Sequence, residues 1–94
     1  MRIKWTRQAL NNLDAAIHYI AADNPGNAQQ VARKIWDSIQ LLRQQPGMGR
    51  PGRVPGTREL IIADLPFIVP YAEHNGEIVI LRIMHTSMKW PELF

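Results

Sequence analysis

The stretch FIVPYAEHNGEIVILRIMH, residues 67–85, decides the fold. Two strand-like runs, Phe67 to Glu73 and Glu77 to His85, flank Asn75-Gly76. That dipeptide between apolar runs is the strongest short-range hairpin signal, because tight hairpin turns need positive φ. A third run, Thr57 to Ala63, precedes them. The second half therefore reads as an antiparallel meander. The last run is apolar on both faces except at Arg82, which marks it as interior. Pro70 complicates the register. A two-residue turn would set it opposite Leu81 at a hydrogen-bonded site, where proline has no N–H to give. A three-residue loop, His74-Asn75-Gly76, is the preferred reading, with a bulge near Pro70 as the alternative. On a flat strand Arg82 and His85 face opposite ways, so they share a site only if the strand bends or ends between them.

Upstream lies the layer that covers this sheet. Ile3 and Trp5 alternate with Arg2 and Lys4, which suits a short half-buried strand. Thr6 is placed as a helix N-cap, and Trp5 and Leu10 have the spacing of a hydrophobic staple. Leu10, Leu13, Ile17 and Ile20 follow at helical spacing, with the helix ending near Ala22 or Asp23. Asn24-Pro25 restarts the pattern as N-cap and first helical residue. Ala28, Val31, Ile35, Ile39 and Leu42 stripe a second helix that stops before Pro46. Helices are thus expected over 7–22 and 25–45, paired as an antiparallel hairpin. Residues 46–56, rich in glycine and proline, form a loop. The architecture is α+β, β-α-α-β-β-β: a helical hairpin packed on one face of a small antiparallel sheet, one domain over 1–94.

Composition narrows the function classes. The chain has 94 residues, 46% hydrophobic, with no cysteine and net charge +3. Disulfide frameworks and thiolate metal sites are excluded. No apolar run approaches the ~20 residues that span a bilayer, and residues 1–24 lack an export-signal core, so the expected location is the cytoplasm. The basic balance suits an anionic partner or a generic solvated surface. No phosphate-binding glycine loop and no metal-spaced His/Asp/Glu set is present, so neither cofactor nor metal is expected. What stands out is a basic set: Arg50, Arg53, Arg58, Arg82, His85 and Lys89. Arg82 reads either as an ion-pair partner of Glu59, Asp64 or Glu73, or as an exposed cation aimed at an anion. His85 reads as a group bonded to a loop carbonyl or as an acid–base near neutral pH. Trp36 reads as core or helix-interface packing, with a binding platform as the alternative. Trp90 either clamps the tail or faces a partner.

Taken in order, Trp5, Ala9, Leu13, Ile17, Tyr19 and Ile20, then Pro25 and Ala28, resemble the helices of the ParE/RelE superfamily of bacterial toxins. Pro46, Gly49-Arg50, Gly56, Arg58-Glu59-Leu60, Pro66 to Val69, Tyr71, Ile80-Leu81-Arg82, His85 and Trp90-Pro91 resemble the signature of its ParE branch. The resemblance spans nearly the whole chain. It implies a toxin of a type II toxin–antitoxin module, neutralised by a cognate antitoxin in a hetero-oligomer. The ParE branch acts on DNA gyrase without chemistry of its own. The RelE branch cuts messenger RNA in the ribosome; here its phosphate-binding arginines fall on Phe67 or Ile68 and near Met88, which argues against cleavage. The resemblance implies target contacts at Arg50, Arg58, Arg82, His85, Lys89 and Trp90, and antitoxin contacts at Leu13, Ile17, Val31 and Ile35. A nuclease would instead use Arg82, His85 and Lys89. A third reading is an inactive family member that only binds antitoxin.

Overall fold

The computed structural model describes residues 1–87. β1 (Arg2–Trp5) leads into α1 (Arg7–Asp23) and α2 (Pro25–Gln40), and a 3-10 turn (Leu41–Arg43) ends the helical half. β2 (Arg50–Pro51), β3 (Arg58–Ile61), β4 (Phe67–His74), β5 (Glu77–Ile80) and β6 (Met84–His85) follow. α2 is five residues shorter than expected, because the chain tightens into the 3-10 turn at Leu41. Both caps form as anticipated: Ala9 N–H donates to Thr6 Oγ1 at 3.0 Å, and Asn27 N–H donates to Asn24 Oδ1 at 3.1 Å. Asn24 also closes α1, donating its N–H to Ile20 O, so one residue ends one helix and starts the next.

The sheet order is β1-β5-β4-β3-β2, with β6 beside the first residues of β4. β5 is interior, as expected. The sheet is mixed, however, and not purely antiparallel: β1 runs parallel to β5, Arg2 against Glu77 through Trp5 against Ile80. The physical reason is connectivity. A tight turn forces antiparallel pairing between β4 and β5, whereas β1 reaches the sheet through two helices, which leave its direction free.

The hairpin turn is the two-residue form. His74 pairs with Glu77, and Asn75 and Gly76 have φ of 51° and 77°, as a type I′ turn requires. The three-residue loop is therefore corrected, and the bulge accommodates Pro70 instead. Tyr71 pairs with Ile80 and Ile68 with Met84. Two residues of β4 therefore lie opposite Leu81, Arg82 and Ile83, and the Glu77–His85 run breaks there into β5 and β6. The helical layer satisfies the groups this break frees. Leu81 N–H donates to Pro70 O at 3.0 Å. Leu81 O, which proline cannot serve, accepts the Thr6 hydroxyl at 3.0 Å. Ile83 N–H donates to Asn12 Oδ1 at 3.2 Å. Thr6 and Asn12 thus lock α1 onto the bulge.

One core lies between the helices and the sheet. Ala9, Val31, Ile35, Ile39 and Leu42 meet Leu60, Ile62, Phe67, Val69, Tyr71, Ile78, Ile80 and Ile83. Alternation along β4 and β5 supplies the sheet side. Each fully buried Ile or Leu contributes about 1.5–3 kcal/mol. α1 seats more shallowly than α2: Ala9 is its one buried residue, and Leu10 is 51% exposed. The Trp5 ring stacks on Trp36, while Leu10, its expected staple partner, is half exposed.

Candidate functional site

The basic residues of the loop half separate into a structural knot and an open rim. Glu59 points from β3 into the 46–56 loop and is 1% exposed. One oxygen accepts Arg50 Nε at 3.0 Å and lies 3.0 Å from its terminal nitrogen. The other accepts the Arg53 backbone N–H at 2.9 Å. Arg58 donates to Gly49 O at 2.8 Å. Tyr71, fully buried on β4, accepts Gly49 N–H at 2.9 Å and donates to Pro46 O at 2.7 Å. Burial pushes the Tyr71 phenol up, against the opposing pull of the Gly49 bond and the Arg58 charge.

Gly49 is fixed by this packing. A Cβ there would stand 2.7 Å from the Tyr71 ring and 2.9 Å from Glu59 O. Arg50 thus has two of its nitrogens on Glu59, and Arg58 has one terminal nitrogen on backbone carbonyls; both residues are exposed. The carboxylate that an arginine needs is Glu59, and its partner is Arg50, not Arg82. Glu59→Gln is expected to lower stability by about 1–2 kcal/mol, since one amide N–H₂ must face a donor. Urea unfolding with an unchanged slope measures it, and an unchanged midpoint would mean that the carboxylate charge contributes nothing.

His85 lies elsewhere, on β6 at the far end of β4. Its ring meets Phe67 edge-on, with centroids 5.5 Å apart. Nδ1 accepts the Ser87 N–H at 3.1 Å and lies 2.7 Å from the Ser87 hydroxyl. An N–H aimed at Nδ1 requires a lone pair there, so Nε2 carries the proton. The partner is thus a serine two residues on, not a loop carbonyl. His85, Phe67 and Ile83 form the sheet wall of a groove of about 430 Å³, and Asn12, Ala16 and Tyr19 of α1 form the other. Its lining, among the described residues, includes no Lys, Arg, Asp or Glu. Arg82 sits half-buried in the bulge. Lys89 and Trp90 lie outside the described residues, as does Met88.

Of the residues expected to meet an antitoxin, Val31 and Ile35 are interior, 6% and 0% exposed. They face the sheet and have no surface for a partner. Leu13 packs partly against the core, and Ile17 is half-buried. Sequence reading missed the exposed apolar surface of Tyr19 and Leu10, 79% and 51% exposed on α1; at helical spacing Leu10 reads as part of the buried stripe. Among the described residues no group of His, Asp or Glu could hold a metal ion, and no helix is long and apolar enough to cross a membrane.

Known proteins match this arrangement along nearly its whole length. The profile of the family described as "ParE toxin of type II toxin-antitoxin system, parDE" matches residues 3–90. A Sinorhizobium fredii protein named as a toxin, Y4kP, is 41% identical over 92 residues, covering 98% of this chain and 95% of that one. Toxin RelE2 of Caulobacter vibrioides is 30% identical over 86 residues, covering 92% and 96%. A solved chain from the chromosomal ParDE toxin–antitoxin system of P. aeruginosa superposes with a TM-score of 0.82 at 39% identity, covering 90% of this chain and 95% of its own. The chain belongs to the ParE family of toxins of type II toxin–antitoxin systems.

Proposed function

We propose that the protein inhibits DNA gyrase by contact and is neutralised by a cognate antitoxin that covers the groove between α1 and the start of β4. The observation that carries this reading is the chemistry of that groove. It is apolar, His85 stands on it, and no Lys or Arg lines it among the described residues. Cleaving RNA takes cations to hold the phosphate as well as a group to move a proton. Binding a protein takes an apolar recess with a polar rim, which is what α1 and β6 present.

The solved neighbour comes from a ParDE toxin–antitoxin system, and a partner of that kind fits here as a segment that orders on binding. Its proposed contacts are Ala16 and Tyr19 on the groove, with Leu13 and Ile17 of the same helix beside it. The proposed gyrase contacts are Arg82 and His85, with Lys89 and Trp90 further along the chain and the exposed sides of Arg50 and Arg58.

The test is induction in cells, alone and together with the neighbouring reading frame. The expected result is growth arrest with DNA breaks, intact messages, and release of the arrest by the partner. One relative carries the name RelE2, so message integrity is the second readout. Cleaved messages with intact DNA would establish the nuclease reading. No arrest at all would establish an inactive member of the family.

A further inference from the structure

A second cleft lies away from the His85 groove, between β1, α2 and the 3-10 turn. Trp5 and Trp36 stack there with ring centroids 5.8 Å apart and planes 14° from parallel. Trp36 remains 48% exposed. Arg2, Ile3, Gln40 and Arg43 complete the lining of a space of about 230 Å³. The Arg43 guanidinium has no partner among the described residues. Arg2 has a 3.8 Å contact with Glu77 on a side chain that is 87% exposed, an arrangement that holds it weakly.

Beneath them the Trp5 indole N–H is closed to solvent and has no acceptor. A buried donor left in that state costs about 1–3 kcal/mol. Nearly all such groups in native proteins are paired, so each exception has a reason.

The cleft surface asks two things of one ligand: a flat ring for Trp36 and an anionic group for two guanidinium forks. We infer that this cleft binds a nucleotide unit of single-stranded nucleic acid, the base on Trp36 and the phosphate between Arg2 and Arg43. Stacking on an indole serves any base, because every base has a π face. Arginine forks match phosphate oxygens in pairs. An acidic peptide would satisfy the arginines but bring no ring. A base laid on Trp36 changes the surroundings of the indole pair, so binding alters its signal. The inference stands apart from the gyrase reading: it is read as binding, not as growth arrest.

The experiment titrates the purified full-length chain into a fluorescein-labelled oligothymidylate and follows anisotropy, with near-UV circular dichroism reporting the indole pair. Binding is expected to weaken with salt and to change the indole signal. Trp36→Ala should bind about 5- to 150-fold more weakly, and Trp36→Tyr should recover most of the loss. Removing both arginines, which hold one phosphate, should make the slope of log affinity against log salt shallower by about 0.7. Far-UV circular dichroism checks that each variant is folded, and Trp36→Tyr keeps the test open if Trp36→Ala is not. Equal binding by folded Trp36→Ala, or displacement by ring-free polyphosphate at matched charge with the same indole response, would overturn the inference. So would failure of the oligonucleotide to bind while the antitoxin chain buries Trp36, which would assign the cleft to protein recognition.

Discussion

Tyr71→Phe is expected to lose about 2–4 kcal/mol of folding stability, although it removes a single oxygen. The hydroxyl is the meeting point of the 46–56 loop: it accepts from Gly49 N–H and donates to Pro46 O. Without it the buried Gly49 N–H has no acceptor, and water can reach only the less enclosed Pro46 carbonyl. A 94-residue domain has about 5–15 kcal/mol in total, so the urea midpoint should fall clearly while the slope stays constant. The pH dependence gives a second, independent readout. Burial raises the Tyr71 pKa above its ordinary value of 10.0. Below pH 10.0 the phenol is protonated in both folded and unfolded chains, and its contribution is complete. As pH rises from 10.0 through the folded pKa, the unfolded chain releases its proton first and is favoured. The gap between wild type and Tyr71→Phe should therefore narrow above pH 10.0. A gap that widens there would mean that the phenolate is the form the fold stabilises.

Six of the signature residues that carry the family resemblance meet at this knot. Pro46, Gly49, Arg50, Arg58, Glu59 and Tyr71 bond to one another across loop, β3 and β4. Their demand is structural: a glycine-rich loop with few backbone bonds of its own needs buried side chains to fix it. The sequence presents Arg50 and Arg58 as a basic patch because one strand and one loop show charge but not direction. Contacts such as Arg50 to Glu59 and Gly49 to Tyr71 span 9 and 22 residues, beyond any helical or strand period. A lone acid inside an apolar strand, facing a loop with two arginines, was the available sign.

Local signals carried the rest of the fold. Thr6 and Asn24 as caps, the Ala28-to-Leu42 stripe and the Asn75-Gly76 turn each depend on neighbours within a few residues. What failed was non-local. The direction of β1 is set by a partner strand more than 70 residues away. Trp36 looked like core on α2 because its partner, Trp5, lies on β1 and leaves the outer ring in solvent. The bulge at 81–83 was legible in part, since Pro70 cannot give an N–H, but its supports, Thr6 and Asn12, come from the other layer.

The function divides on two neighbouring residues that respond oppositely under the two chemistries. If gyrase is inhibited by contact, Arg82→Ala should weaken inhibition by about 2 kcal/mol or more, some 30-fold, as loss of a charge-assisted interface bond does. His85→Gln should stay within about threefold of wild type. Its amide oxygen can still accept the Ser87 N–H, and only proton-transfer capacity is removed. A ribosome-dependent nuclease inverts this pattern. Removing its acid–base group costs about 10²–10⁴-fold in rate while leaving ribosome binding intact. Supercoiling by purified gyrase and cleavage of a ribosome-bound message, each measured for wild type, Arg82→Ala and His85→Gln, separate the two. The gyrase reading is wrong if folded His85→Gln still binds ribosomes but no longer cuts message, with supercoiling untouched by any of the three proteins. It stands if Arg82→Ala alone relieves gyrase inhibition, because a contact surface depends on a charge it presents and not on a proton it moves.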